Sequence, residues 1–204
     1  MQKKIILIGA GGHARSCIDV IENSNSNFKI LGLIEKRNLN KKTFSKYKVI
    51  YLEKNLNKIT KKNIYALVGF GDIKNLKKRE IIFNKLINFK FKIPIIKSKN
   101  AYISSNSKIG SGTIVMHGVT INFGSKIGKN CIINSNATIE HDVIIGNHCH
   151  IAPGAIINGG VKIGDYSFIG SGAVIKENIK ISENCIVGAN CFLKKNLSKK
   201  KIFK

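Results

Sequence analysis

From Ile103 to Leu193 a single hydrophobic pattern recurs every six residues, with no position inserted or lost. Ile103, Ile109, Val115, Ile121, Ile127, Ile133, Ile139 and each sixth residue onward to Ile181, Val187 and Leu193 are aliphatic. Four residues after each stands a small or modest side chain, such as Ser107, Thr113, Cys131, Ala137, Val143 or Ala155. That position and the next aliphatic one lie two residues apart, so both face the same side of a short strand, and the residue between them faces out. Three residues after each aliphatic position, from Asn106 to Asn190, stands Gly, Asn or Asp, with His148 and Tyr166 as the exceptions. Gly, Asn and Asp accept left-handed backbone at low cost. Each hexad therefore predicts a short strand and a corner, and three hexads close one triangular coil. Coils stack at about 4.8 Å, the ordinary strand spacing, giving a parallel β-helix of hexapeptide repeats. Residues eighteen apart, such as Ile121, Ile139, Ile157 and Ile175, then form one inward ladder.

The residues before this array follow a different rhythm. Ile5 to Ile8 reads as a buried strand, Gly9-Ala10-Gly11-Gly12-His13 as a tight turn, and Ala14 to Asn23 as a helix with Cys17, Ile18 and Ile21 on one face. A second strand, Ile30 to Ile34, ends at Glu35. Val49 to Leu52 is a further candidate, and Tyr65 to Val68 runs into Gly69-Phe70-Gly71-Asp72 before a helix that reaches about Phe89. Together these predict an α/β Rossmann-like unit over residues 1–98, followed by the β-helix over 99–193 and a basic tail over 194–204. Gly9, Gly11 and Ala14 match the G-x-G-x-x-G/A spacing between a strand and a helix, with an acid closing the second strand. Such a turn brings backbone N–H groups and a helix N-terminus to a phosphate, so a nucleotide or pyrophosphate is the expected ligand. A tight β-to-α turn with no ligand is the other reading.

The formal net charge of +24 invites a nucleic-acid or membrane reading, but its distribution argues against one. Between residues 101 and 193 six lysines (Lys108, Lys126, Lys129, Lys162, Lys176, Lys180) meet five acids (Glu140, Asp142, Asp165, Glu177, Glu183). The excess lies in scattered lysines before residue 100 and in the tail, which is expected to be disordered. Arginine, the usual reader of bases, appears only as Arg15, Arg37 and Arg79. No apolar run is long enough to span a membrane and Met1 to Lys4 leads straight into a strand, so a cytoplasmic protein is expected, without nucleic acid or membrane insertion. Cys131, Cys149 and Cys185 fall in one inward column and Cys191 in another, as small core fillers. Cys131 and Cys149 sit on adjacent coils but should stay reduced. No zinc spacing appears.

Candidate chemistry lies among the histidines of the array. His117 and His141 occupy corners, His148 a left-handed position, and His150 an outward strand position. His117 reads as a solvated corner. His141 is flanked by Glu140 and Asp142, carboxylates within reach to orient an imidazole as a base. One coil on stand Gly159 and Gly160, a notch with a backbone N–H available to a carbonyl oxygen. A base beside such a notch suits acyl transfer. His150 projects from the opposite face, so the two histidines can share a site only across subunits, as threefold packing of triangular prisms would allow.

The run Ile139-Glu140-His141-Asp142-Val143 through His148-Cys149-His150-Ile151-Ala152-Pro153-Gly154-Ala155, with Ile6-Leu7-Ile8-Gly9-Ala10-Gly11-Gly12-His13-Ala14, resembles the bacterial sugar acetyltransferases of the NeuD and PglD type. The resemblance implies a small Rossmann-like domain for the substrate, a left-handed β-helix for acetyl-CoA, and a homotrimer with active sites between subunits. It places the catalytic pair on His141 and Asp142, where the family often has Glu for Asp142, so a looser contact with His141 is expected. It puts His150 beside the thioester and the Gly159 amide toward the ligand, with Gly160 and Ala189 completing the cofactor surface. It sets the nucleotide sugar near Gly9, Gly11, Gly12, His13, Glu35, Gly71, Asp72 and Arg79. The expected activity is acetyl-CoA-dependent N-acetylation of a UDP-4-amino-sugar with no metal. The alternatives are O-acetylation of a sialic acid, a metal hydratase like the γ-carbonic anhydrases, whose histidine spacing of five is absent here, and a non-catalytic nucleotide-binding protein.

Overall fold

The computed structural model describes residues 2–24, 27–37, 46–59, 63–71, 77–198 and 202–204. Strand β1 (Lys3–Ile8) is buried on both faces from Ile5 onward, as a central parallel strand must be. Ile5 and Leu7 join a core cluster that includes helix α1 (Gly12–Glu22), while Ile6 and Ile8 pack with Phe83 and Leu86 of helix α2 (Lys77–Asn88). Strands β2 (Phe28–Glu35), β3 (Val49–Leu52) and β4 (Ile64–Val68) complete a parallel sheet in the order β3-β2-β1-β4. A 3-10 turn, Glu53–Lys58, follows β3. Gly9 takes φ +116°, and a Cβ there would stand 3.3 Å from the Gly69 carbonyl, so the first turn needs glycine at that place.

Beyond residue 95 the chain winds into a left-handed parallel β-helix of two-residue strands in three sheets of five, seven and six members. From Ile96 to Leu193 pairing is in register at eighteen residues: Ile127 pairs with Ile109 and Ile145, and Ile139 with Ile121 and Ile157. Ile121, Ile139, Ile157 and Ile175 are fully buried, as are the small residues Thr113, Ser125, Ala137 and Val143 at the other inward position. Every predicted corner from Gly112 to Asn190 has positive φ, including His148 at 57° and Tyr166 at 56°. Those two unusual corner residues stack on each other, rings 5.3 Å apart and 5° from parallel, and contacts to α2 hold both: His148 edge-on to Phe83, Tyr166 donating to Glu80. Docking of α2 thus offsets the strain of a bulky side chain in the left-handed region.

One of the three outward faces is not outward. On the seven-stranded sheet five of the seven outer positions, Ile96, Ile114, Ile132, His150 and Phe168, are buried, and α1 packs against the Ile96–Lys97 strand. The hexad pattern places these side chains outside the coil but carries no information about what covers the coil. His150 is therefore 7% exposed rather than solvent-facing. The C-terminal segment also departs from expectation. Leu197 is buried with its N–H on the Lys180 carbonyl, and Ile202–Phe203 pairs with Ile186–Val187, so the end of the chain closes the open coil. All five cysteines are free thiols. Among the described residues no helix is long and apolar enough to cross a membrane.

Candidate active site

His141 stands at the corner between the Thr138–Ile139 and Ile144–Ile145 strands, and the coil beneath fixes that corner. The Ser125 hydroxyl donates to the Glu140 carbonyl (2.6 Å) and accepts the Val143 N–H (3.2 Å). Asn122 takes the Glu140 carboxylate away from His141 through a 2.9 Å bond. Asp142, at φ +59°, is left as the partner of the imidazole: its Oδ2 lies 3.0 Å from His141 Nδ1. The expected looseness of the shorter acid is not found, because the left-handed backbone turns the carboxylate onto the ring. Gly124, one coil below, leaves the space it needs: a Cβ there would meet Asp142 Oδ1 at 2.5 Å.

With Nδ1 held by a carboxylate, Nε2 is the free basic position. It faces Gly159, where an added Cβ would stand 2.6 Å away. The Gly159 N–H has no acceptor among the described residues, whereas the Gly160 N–H is committed to the His141 carbonyl at 3.0 Å. Of the two notch glycines, Gly159 alone offers a donor. Gly160 is required by its left-handed φ of +70° and by Asn178, whose side chain fills the space above it. The imidazole is 65% exposed and opens on a cleft of about 650 Å³ lined by Tyr102, Ser104, Phe123 and Glu140.

The other predicted residues divide into separate places. His150 and His13 meet at the seam between the domains, where a Cβ on Gly71 would lie 3.9 Å from one ring and 4.0 Å from the other. Burial, then the Arg79 charge, pulls His13 down to about 3 and His150 to about 4, so both are neutral. The enclosed His13 Nε2 and His150 Nδ1 have no partner among the described residues. Gly9, Gly11, Glu35 and Gly71 line a pocket of about 390 Å³ at the carboxyl ends of β1, β2 and β4, the usual ligand crevice of such sheets. Gly12 faces a different recess, against His117. Glu35 does not stand free there, since its Oε1 accepts the Ala10 N–H at 2.9 Å. Asp72 lies outside the described residues. Ala189 is exposed on the corner shared by His117, not that of His141, because it belongs to a different edge of the prism.

Arg79, expected at the substrate, is a correction. It is 1% exposed and donates to the Val68, Phe70 and Asn130 carbonyls and to Asn130 Oδ1, so no donor fork reaches the pocket. His117 is another: it is held between Ser98 Oγ (2.7 Å) and Asp19 Oδ2 (2.8 Å) and ties α1 to the first coil. Sequence reading also missed Ser125, Asn122 and Asn130, although the eighteen-residue register puts Ser125 under Val143, Asn122 under Glu140 and Asn130 under His148. Glu53 and Lys78 line the pocket at Gly9 and Glu35 without any sequence signal, since a short turn and a helix bring them in from distant segments.

Residues 4–86 match the model of the PglD N-terminal domain, and residues 124–159 and 160–195 match that of the bacterial transferase hexapeptide (six repeats). Similar solved structures include the acetyltransferase domain of PglB from Neisseria gonorrhoeae, at 25% identity over 98% of this chain and 95% of that one, with a TM-score of 0.88. PerB from Caulobacter crescentus, in complex with CoA and GDP-perosamine, is 26% identical over 98% of this chain and 92% of its own, with a TM-score of 0.89. WeeI from Acinetobacter baumannii is 25% identical over 95% and 92%, with a TM-score of 0.82. No curated protein matches in sequence.

Proposed function

We propose that this chain, which joins a PglD N-terminal domain to hexapeptide repeats, is an acetyl-CoA-dependent sugar acetyltransferase that N-acetylates a nucleotide-linked 4-amino sugar. Residues 1–98 would hold the nucleotide sugar, with Gly9, Gly11 and Glu35 at the pocket and His13 and Gly71 at the seam. Residues 99–193 would hold acetyl-CoA. PerB, bound to CoA and GDP-perosamine, supports a nucleotide sugar as acceptor. A UDP-4-amino-sugar is the acceptor we propose, with the GDP-linked form as the comparison.

The observation that carries the reading is the Asp142–His141–Gly159 arrangement, a carboxylate at 3.0 Å behind one imidazole nitrogen and a glycine over the other. In the proposed step the sugar amine attacks the thioester carbonyl while His141 Nε2 accepts its proton, and Asp142 holds Nδ1–H and supports the imidazolium. The Gly159 N–H donates to the oxyanion. Attack forms the N–C bond, collapse of the tetrahedral intermediate restores the carbonyl and breaks C–S, and His141 gives the proton to the departing thiolate. No acyl-enzyme forms. His141 and His150 stand on different faces of one chain, so we further propose a homotrimer in which a neighbour brings His150 toward the thioester.

Mass spectrometry of reactions with acetyl-CoA and either a UDP-4-amino-sugar, the GDP-linked form or a sialic acid tests this. A gain of one acetyl group on the nitrogen of a nucleotide sugar is expected. Acetylation of sialic acid alone would replace the acceptor and keep the machinery.

A further inference from the structure

Glu140 precedes His141 on the corner and lines the same cleft, yet the transfer step leaves it without a duty. Asn122, one coil below, donates from Nδ2 to Glu140 Oε2 at 2.9 Å and holds the carboxylate off the imidazole, which is left to Asp142. Glu140 Oε1 has no partner among the described residues, and the side chain is half-buried. Its main chain is fixed as well: the Glu140 N–H goes to the Ile157 carbonyl at 2.9 Å, and the Glu140 carbonyl takes the Ser125 hydroxyl. The result is a carboxylate with one oxygen anchored and the other open, beside a base. The charge around it is unusual for this protein. Lys and Arg outnumber Asp and Glu by 35 to 11, but none of the described lysines and arginines lines the cleft, where Tyr102, Ser104, Ser105, Asn106 and Phe123 form much of the wall. The open oxygen is thus kept for a donor that the ligand brings.

We propose that Glu140 selects an amine over a hydroxyl as the acceptor: its Oε1 accepts one N–H of the incoming amine while His141 Nε2 accepts the other. This deepens the reading above and rests on it. A neutral primary amine carries two N–H donors and one lone pair, whereas a hydroxyl carries a single O–H. With one N–H on Glu140 and the other on His141, the lone pair is left to meet the thioester carbonyl. Attack forms the N–C bond, and the proton held by His141 passes through the imidazole to the departing thiolate. The hydrogen on Glu140 stays behind as the amide N–H of the product. A hydroxyl must give its only hydrogen to the base, and Oε1 then faces an oxygen lone pair with no hydrogen between them, which disfavours that acceptor. The ammonium form of the sugar is drawn to the same carboxylate, and it loses its extra proton to solvent through the open cleft before the amine attacks.

Steady-state kinetics and calorimetry on the full-length protein test this, with acetyl-CoA, a UDP-4-amino-sugar and the same nucleotide sugar bearing a 4-hydroxyl, for wild type, Glu140→Gln and Asn122→Ala. Glu140→Gln keeps the length of the side chain and, through its amide oxygen, the bond from Asn122, so its thermal melt should match wild type. KM for the amino sugar should rise roughly tenfold in this variant, with a smaller fall in kcat and no change in KM for acetyl-CoA, because a charged acceptor of the N–H has gone. The preference for the amino over the hydroxyl sugar, as a ratio of kcat/KM or of calorimetric Kd, should fall by the same factor. A role confined to shaping the corner would leave that ratio untouched, since the two sugars have nearly the same size. If Glu140→Gln does not fold, Asn122→Ala decides: it releases the carboxylate from its anchor and should lower the same ratio several-fold. An unchanged ratio in folded Glu140→Gln, or in Asn122→Ala where that variant decides, would overturn the proposal. Failure of wild-type enzyme to acetylate any amino sugar would instead strike the functional reading, and the calorimetric preference would still decide what Glu140 selects.

Discussion

At the scale of single residues, three imidazoles stand in different surroundings. His141 is exposed and backed by a carboxylate, so its replacement by Ala should remove general-base catalysis, a fall of roughly 10²- to 10⁴-fold in kcat, with CoA affinity unchanged when measured by calorimetry. Asp142→Asn should lower kcat less, because the ring keeps its place over Gly159 but loses the acceptor that fixes its tautomer. His13 and His150 behave oppositely, as neutral groups under cover. Their folded values, about 3 and about 4, lie below the ordinary 6.5, so between those limits the unfolded chain binds more protons than the folded one. Stability from this source is complete above about pH 6.5 and declines as pH falls toward the folded values, by up to about 1.4 kcal/mol per pH unit for each histidine. Urea unfolding at pH 7 and pH 5 checks the sign. Equal stability at the two pH values would contradict it.

At the scale of elements, the solenoid was legible from residue 103 onward because its period, its inward positions and its left-handed corners are all written in local sequence. The corner of His141 was legible for the same reason: residues eighteen apart must touch. The seam was not. Whether Ile132, His150 and Phe168 face water or a domain depends on how the N-terminal sheet packs, and no periodicity reports that. Arg79 illustrates the limit, since an arginine after a glycine-rich loop reads as a ligand contact until its acceptors are seen. The glycines of the notch can be tested as parts of an element. Gly159→Ala would drive a methyl group to 2.6 Å from His141 Nε2 and displace the ring, so transfer should fall at least tenfold while the melting temperature changes little. Ile157→Ala removes a fully buried rung of the ladder and should cost about 2–5 kcal/mol in urea unfolding.

At the scale of the molecule, the two proposed half-sites lie on different faces of one prism: His141 with Gly159 on a corner, His150 with His13 beneath the N-terminal domain. A trimer that joins them across subunits makes a sharp prediction. His141→Ala and His150→Ala, each inactive alone, should complement when co-expressed, since in randomly mixed trimers about a quarter of the sites would receive one intact histidine from each neighbour. Absence of any recovered activity in proven mixed trimers would mean that each site is built within one chain. The role of His141 is tested most directly by the rate of thiol release from acetyl-CoA in the presence of a nucleotide-linked 4-amino sugar, measured for wild type and His141→Ala. With His141 as the general base, release depends on the amino sugar and falls by at least about a hundredfold in the variant. Turnover near wild type in His141→Ala would contradict it.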